Sequence, residues 1–200
     1  LQLVLATRNQ DKIREIKAAL KGLPIEILIL PKTRSGKLKE TGKTLEQNAL
    51  QKARTVCKMT GLPSLADDTG LEVEYLKGAP GVRSSRYAGH HASYLDNNLK
   101  LLKELQGVPL KNRKARFRCV LALVLNQNQH YLVEACVSGL IAKERRGQRG
   151  FGYDPVFYLP RFKKTFAQMT LREKNKISHR GKALRRLRRL FEKLTTGELT

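Results

Sequence analysis

The sequence is short of acids, short of cysteine, without tryptophan and without any long apolar run. Only 17 aspartates and glutamates stand against 40 lysines and arginines in 200 residues, a formal net charge of +23. Such an imbalance points to anionic partners: nucleotides, nucleic acid or an acidic surface. A merely solvated basic surface fits it equally well, so charge alone does not choose among them. The three cysteines, Cys57, Cys119 and Cys136, form no CxxC and show no ligand spacing with the 4 histidines, which argues against zinc. If a hairpin turns at Gln127-Asn128, Cys119 lies opposite Cys136, and two reduced core thiols are expected there rather than a disulfide. No stretch approaches the roughly 18 apolar residues of a membrane span, and no signal-peptide pattern is visible. Leu1 opens a strand-like run directly, so the initiator methionine is expected to lie outside the numbering. These absences lead to the expectation of a soluble, cytoplasmic protein.

What is present is enough for a sizeable core: at 40% hydrophobic, residues 1–200 read as a single domain, with at most a small second lobe. There are no internal repeats and no long linker. Because acids are scarce, two adjacent ones stand out. Leu62, Leu65 and Ala66 run into Asp67 and Asp68, and Thr69-Gly70 is expected to turn the chain before the glycine-rich loop Gly78–Val82 and Arg83 and Arg86. A desolvated carboxylate needs a partner or a metal. The pair therefore marks the chemical centre, a magnesium site by its oxygen donors, unless it is simply paired with Arg83 or Arg86.

Leu1–Ala6 reads as a strand that enters a helix through Thr7-Arg8-Asn9, with Ile13, Ile16, Ala19 and Leu20 at helical spacing. Asn9 can cap that helix, whose free N–H groups would seat a phosphate. Lys12 in the first turn is disfavoured by the helix dipole unless an anion is bound there. After a second strand, 25–30, a lysine-rich loop spans 31–43. Thr44-x-x-Gln47 then reads as a capping box opening a helix with Leu45, Ala49, Ala53, Val56 and Cys57 inward. Glu46 and Lys52 on that helix are placed to approach Asp68. A helix over 93–105 with Leu95, Leu99, Leu102 and Leu105 on one side comes next, then a hairpin of 116–125 and 130–141. An exposed loop around Phe-Gly-Tyr-Asp follows. A capping box at Thr170 and Glu173 opens a short helix, and a last helix from Ser178 carries Leu184, Leu187, Leu190, Phe191 and Leu194 opposite an arginine-dense face.

Taken together, LATRNQDK, NALQKA, SLADDTG, GAPGVRSSRYAG, FGYDPVF and EKNKISHRGKAL, in this order, resemble the inosine triphosphate pyrophosphatase family, whose bacterial members are XTP/dITP diphosphatases. The resemblance covers Leu3 to about Leu187, and six ordered motifs are far more specific than any one. It implies an α/β fold: an elongated mixed sheet with flanking helices forming two lobes around a central substrate cleft. It implies a homodimer, and magnesium-dependent hydrolysis of ITP, dITP or XTP to the monophosphate and pyrophosphate. By matching, Thr7, Arg8, Asn9 and Lys12 fall on the triphosphate motif, Asp68 on the catalytic, metal-associated acid and Thr69 on its substrate-contacting neighbour. Lys52 matches a lysine that reaches the phosphates. Phe151, Gly152, Tyr153 and Asp154 match the base-binding loop, and Lys174, His179 and Arg180 match residues around base and phosphates.

One departure touches the metal. The family usually carries glutamate before the Asn-Ala of the second motif; here Gln47 stands there, a poorer magnesium ligand, and either Glu46 one position earlier substitutes or the metal rests on Asp68, water and the triphosphate. Base choice is expected to rest on Arg180 donating to a 6-oxo group, with Phe151 or Tyr153 stacking on the purine. Two other function classes compete. The basic amphipathic helix 182–194 could lie on nucleic acid, although its leucine stripe is better explained by packing. A hydrolase acting on modified pyrimidines or a capped nucleotide would lack a use for the Phe-Gly-Tyr-Asp and Ser-His-Arg motifs.

Overall fold

Short apolar strands alternating with amphipathic helices build a mixed α/β structure, seen here in a computed structural model that describes residues 1–30, 38 and 40–196. Most of the loop predicted over 31–43 lies outside the described residues. Eight strands form one sheet: β1 (Gln2–Leu5), β2 (Glu26–Ile29), β3 (Ser64–Val73), β4 (Pro80–Gly81), β5 (Lys114–Val124), β6 (His130–Ile141), β7 (Phe157–Leu159) and β8 (Lys164–Thr165). Their order is β2-β1-β3-β5-β6-β7-β8, with β4 on β3. β1 runs parallel to β2 and β3, with Val4 opposite Ser64 and Leu5 opposite Leu65, whereas the β6–β7 and β7–β8 pairs are antiparallel. The helices are α1 (Gln10–Leu20), α2 (Leu45–Thr60), α3 (Tyr94–Glu104), α4 (Leu171–Ile177) and α5 (His179–Thr196). None of the described helices is long and apolar enough to cross a membrane.

The chain divides into two compact units, and no single cut in the sequence separates them. The first holds Leu1–Asp68, Cys119–Ala135 and Arg180–Thr200; the second holds Thr69–Arg118 and Cys136–His179. Each has its own core. In the first, Leu3, Leu5, Leu65, Leu121 and Leu123 of the strands pack with Ile13, Ile16 and Leu20 of α1 and Leu184, Leu187 and Phe191 of α5. The second is built on Leu71, Leu101, Leu105, Phe117, Phe157 and Phe166.

Caps fall where the sequence places them. Asn9 Oδ1 accepts from the N–H groups of Asp11 and Lys12, and Thr170 and Glu173 form the reciprocal box that opens α4. Thr44 caps α2 through the Gln47 N–H, but the Gln47 side chain reaches one residue further back, to the Lys43 N–H at 2.7 Å. The α2 stripe is buried as its spacing predicts.

Three expectations fail for physical reasons. The chain does not turn at Thr69-Gly70: β3 continues to Val73, because Leu71 and Val73 carry the alternating buried face onward, and the reversal comes at Lys77-Gly78, both left-handed. In α3 the leucine spacing holds only toward the C-terminal end, where Leu105 is buried and Leu102 half-buried. Leu95 and Leu99 are exposed, while Asn97, Asn98 and Leu101 are buried. The asparagines turn inward because they serve backbone groups: Asn97 Oδ1 accepts the Ala88 N–H, and Asn98 Nδ2 donates to the Gly152 carbonyl at 2.8 Å. Of the two core thiols expected in the β5–β6 hairpin only Cys119 is buried; Cys136 is an exposed free thiol, because it falls on the outward side of the alternating β6 pattern, and the turn is closed by Leu125 N–H donating to Gln129 O.

Candidate active site

In the first unit, four elements converge on the paired aspartates. Successive β-strand side chains alternate in direction, so Asp67 and Asp68 meet different partners. The turn after β1 delivers Lys12 from the first turn of α1, with Nζ 2.6 Å from Asp67 Oδ1. α2 delivers Lys52, whose Nζ lies 2.6 Å from Asp68 Oδ1. Both ammonium groups also donate to the same acceptor, the main-chain carbonyl of Asp67, at 3.2 and 3.1 Å. Two cations, each also paired with a carboxylate, are thus gathered on one oxygen beside the N-terminus of α1. Thr7, Arg8 and Asn9 stand in the turn that leads into it: Thr7 Oγ1 accepts the Asn9 N–H, and Arg8 is exposed.

Behind Asp67 lies a buried ionic relay. Arg180, 1% exposed, donates through Nε to Asp67 Oδ2 at 2.7 Å and through NH1 to Glu15 Oε2 at 2.8 Å. Its NH2 lies 3.3 Å from Asp67 Oδ1, and the Cys119 thiol is 3.4 Å from Asp67 Oδ2. Arg180 was expected to face the base; here its fork holds two carboxylates, a geometry that suits guanidinium. It also replaces Arg83 and Arg86 as the structural partner of the acid pair. Glu15 was legible in principle, as an acid at a buried helical position between Ile13 and Ile16.

The charges decide the protonation of each acid. Burial would raise the proton affinity of Asp67, but Arg180 and Lys12 outweigh it and hold its carboxyl well below the usual carboxylate range. Burial dominates at Asp68 and raises its pKa, opposed by Lys52 and Lys12 and aided by Glu40. For Lys52, burial works downward and the carboxylates of Asp68 and Glu40 more than reverse it. The two directions agree: the ammonium shared by two carboxylates is held firmly, while the burial of Asp68 is incompletely compensated.

Glu40 was missed in the sequence. Its Oε1 lies 2.9 Å from Lys52 Nζ, making it the second carboxylate at that lysine, whereas Glu46 is half-buried in the first turn of α2 and Gln47 is exposed and spent on Lys43. A loop residue has no periodicity to betray it; its only signal was being an acid in a lysine-rich stretch. Among the described residues no group of three or more His, Cys, Asp or Glu is arranged to hold a metal. Glu40 and Asp68 both reach Lys52 Nζ and offer hard carboxylate oxygens, the ligand type that magnesium takes.

The second unit holds the aromatic part. Lys174, from α4 and 3% exposed, donates to Asp154 Oδ2 at 2.7 Å, and its Nζ lies 4.6 Å from the Phe151 ring centroid. Asp154 Oδ2 also accepts the Phe151 N–H, and Gly150 has a left-handed backbone with Asp154 packed where a Cβ would be. The loop is therefore fixed from within. Of the two expected stacking rings only Phe151 is accessible; Tyr153 is core, its hydroxyl donating to the Ser84 carbonyl. Gly152 is held through its carbonyl by Asn98. His179 is buried, stacked on Phe117 at 4.5 Å between centroids. Thr69 is half-buried in β3.

Comparison with known proteins agrees with this assembly of motifs. Residues 3–190 match the Ham1 family. A dITP/XTP pyrophosphatase of Bacillus licheniformis is 47% identical over 193 residues, covering 96% of this chain and 98% of that one. A protein of the same name from Geobacter sulfurreducens is 48% identical over 184 residues, 92% of each chain. Among solved structures, a Ham1 protein from Coxiella burnetii matches with a TM-score of 0.90 and 42% identity, covering 96% of this chain and 99% of that chain. With the matched fold extending over nearly its full length, the chain belongs to the Ham1 family.

Proposed function

We propose that this protein hydrolyses non-standard purine nucleoside triphosphates, ITP, dITP and XTP, to the monophosphate and pyrophosphate, and so cleanses the nucleotide pool. The observation that carries it is the convergence of Lys12 and Lys52 on the Asp67 carbonyl beside buried Asp68, in a family whose relatives bear the name dITP/XTP pyrophosphatase. Phosphoryl transfer asks a protein chiefly for charge neutralisation and an aligned nucleophile. Lys12, Lys52 and the N–H groups at the start of α1 bind the triphosphate tail, with Thr7, Arg8 and Asn9 lining the turn. Asp68 orients the attacking water. Asp67 does not act on substrate; it holds Lys12 and is held by Arg180.

The cofactor is magnesium, which Asp68 and Glu40 would hold, Glu40 standing in place of the Glu46 that the sequence suggests. Around Lys52 two carboxylates share a single ammonium, which leaves negative charge for a cation to neutralise. When bound, magnesium withdraws charge from phosphate oxygens. Phe151 stacks on the purine, and Lys174 and His179 supply the donors that favour a 6-oxo group over the amino group of adenine. Arg180 contributes indirectly, through Asp67. The protein works in the cytoplasm as a homodimer, an assembly that sedimentation equilibrium tests.

Pyrophosphate release from ITP, XTP, GTP and ATP, each with and without magnesium, tests this reading. ITP and XTP should turn over far faster than GTP and ATP, and only with the metal. Equal turnover of all four would remove the base-selection claim. An Asp68→Asn variant should fold and lose most activity; full activity would show that the wrong acid was chosen.

A further inference from the structure

The segment that carries Glu40 lies against α2 as a ladder of four rungs. Lys43 N–H donates to Gln47 Oε1 at 2.7 Å, Gly42 N–H to Asn48 Oδ1 at 2.8 Å and Thr41 N–H to Gln51 Oε1 at 3.3 Å. The fourth rung is the Lys52–Glu40 ion pair at 2.9 Å. Four successive residues, read backwards from 43 to 40, thus meet helix positions 47, 48, 51 and 52, which lie together on one flank at the i, i+1, i+4, i+5 spacing. Gln51 Nε2 adds a bond to Thr41 Oγ1 at 3.1 Å.

Asn48 is the central rung and is fully buried. Among the described residues its Nδ2 has no partner, a cost that an apolar side chain would avoid. An asparagine kept at that cost is kept for its Oδ1, which fixes Gly42. Gly42 is fitted to it in turn: a Cβ there would fall 2.7 Å from Gln47 Cβ and 2.8 Å from Asn48 Oδ1. The rung is thus built from both sides.

We propose that Gln47, Asn48 and Gln51 are positioning residues that set the Glu40 carboxylate for metal binding, Asn48 being the main one. This rests on the reading of Glu40 and Asp68 as the metal carboxylates. It also gives Gln47 a task that a neutral amide performs well, so its substitution for glutamate leaves the metal set intact. Partners that orient a ligand commonly change metal affinity about 10- to 100-fold when removed.

The test is titration of the nucleotide-free protein with Mn²⁺ alone, free Mn²⁺ being read by electron paramagnetic resonance. Asn48→Ala and Gly42→Ala should each weaken Mn²⁺ binding about tenfold or more, with melting temperatures within about 5 °C of wild type. Asn48→Asp, which keeps an acceptor for Gly42, should retain binding. Gln51→Ala, at a partly exposed rung, should weaken it less and supplies a second lesion if Asn48→Ala fails to fold. Glu40→Gln and Asp68→Asn set the reference. If these two weaken binding while Asn48→Ala and Gly42→Ala do not, or if Asn48→Asp loses as much as Asn48→Ala, the positioning role is overturned and the metal assignment stands. If Glu40→Gln and Asp68→Asn leave binding unchanged, both fall together.

Discussion

Arg180 shows how one side chain can change meaning between sequence and structure. In the motif Ser-His-Arg it reads as a donor for the base; in the fold it ties Glu15 of α1 to Asp67 of β3 with essentially no exposure. Removing one partner from a buried ionic set leaves uncompensated charge, so Arg180→Met should destabilise the protein by about 3–5 kcal/mol in urea unfolding. Arg180→Lys should recover little, because one ammonium cannot span both carboxylates as a guanidinium does. A variant of unchanged stability but altered base preference would restore the role expected from sequence. Asp67 gives the matching pH dependence. Its folded-state pKa lies below the unfolded value of about 4, so its contribution is complete above that pH and is lost as pH falls through the depressed folded value. The stability gap between wild type and Asp67→Asn should therefore be widest at pH 5–6 (about a unit or more above the unfolded value) and narrow as pH falls below about 4. A gap that instead widened on acidification would mean that the partners of Asp67 do not stabilise its charged form.

At the scale of elements, hydrophobic spacing located α1, α2, α3 and α5 but misjudged part of one face. Leu95 and Leu99 of α3 complete an attractive leucine stripe, yet both are exposed and Leu101 is fully buried with Asn97 and Asn98. Leu101→Ala should cost about 2–5 kcal/mol, and Leu99→Ala less than about 0.5 kcal/mol, in matched denaturant titrations. Equal effects would return the face to the leucine stripe. Caps were more legible, because a cap is a local hydrogen bond. Asn9→Ala should lower stability by about 1 kcal/mol, the usual value of a lost N-cap, and should also raise KM for the triphosphate by loosening the turn before Lys12.

For the whole molecule, a net charge of +23 exceeds what one triphosphate requires. Among the side chains of the first-unit cluster, Lys12, Lys52 and Arg180 face Asp67, Asp68, Glu40 and Glu15, so the cationic surplus lies elsewhere on the protein. A surface of this kind raises the local concentration of polyanionic substrate at low ionic strength. KM for ITP should therefore rise steeply between low salt and about 0.5 M, where screening is nearly complete, while kcat changes little. A KM flat across that range would leave the surplus without a part in substrate capture.

Alone, the sequence determined the α/β character, the caps, the acid pair with its lysines and the family, because each rests on short-range periodicity, on local hydrogen bonding or on ordered motifs that survive without coordinates. The tertiary structure decided which carboxylate joins Asp68, what holds Arg180, which ring of the Phe-Gly-Tyr-Asp loop is accessible and which face of α3 is inward. Those outcomes turn on contacts between residues far apart in the chain, such as Asp67 with Arg180, 113 positions away. Burial sets the energy of such pairs, and burial is a property of the folded chain that no local pattern carries.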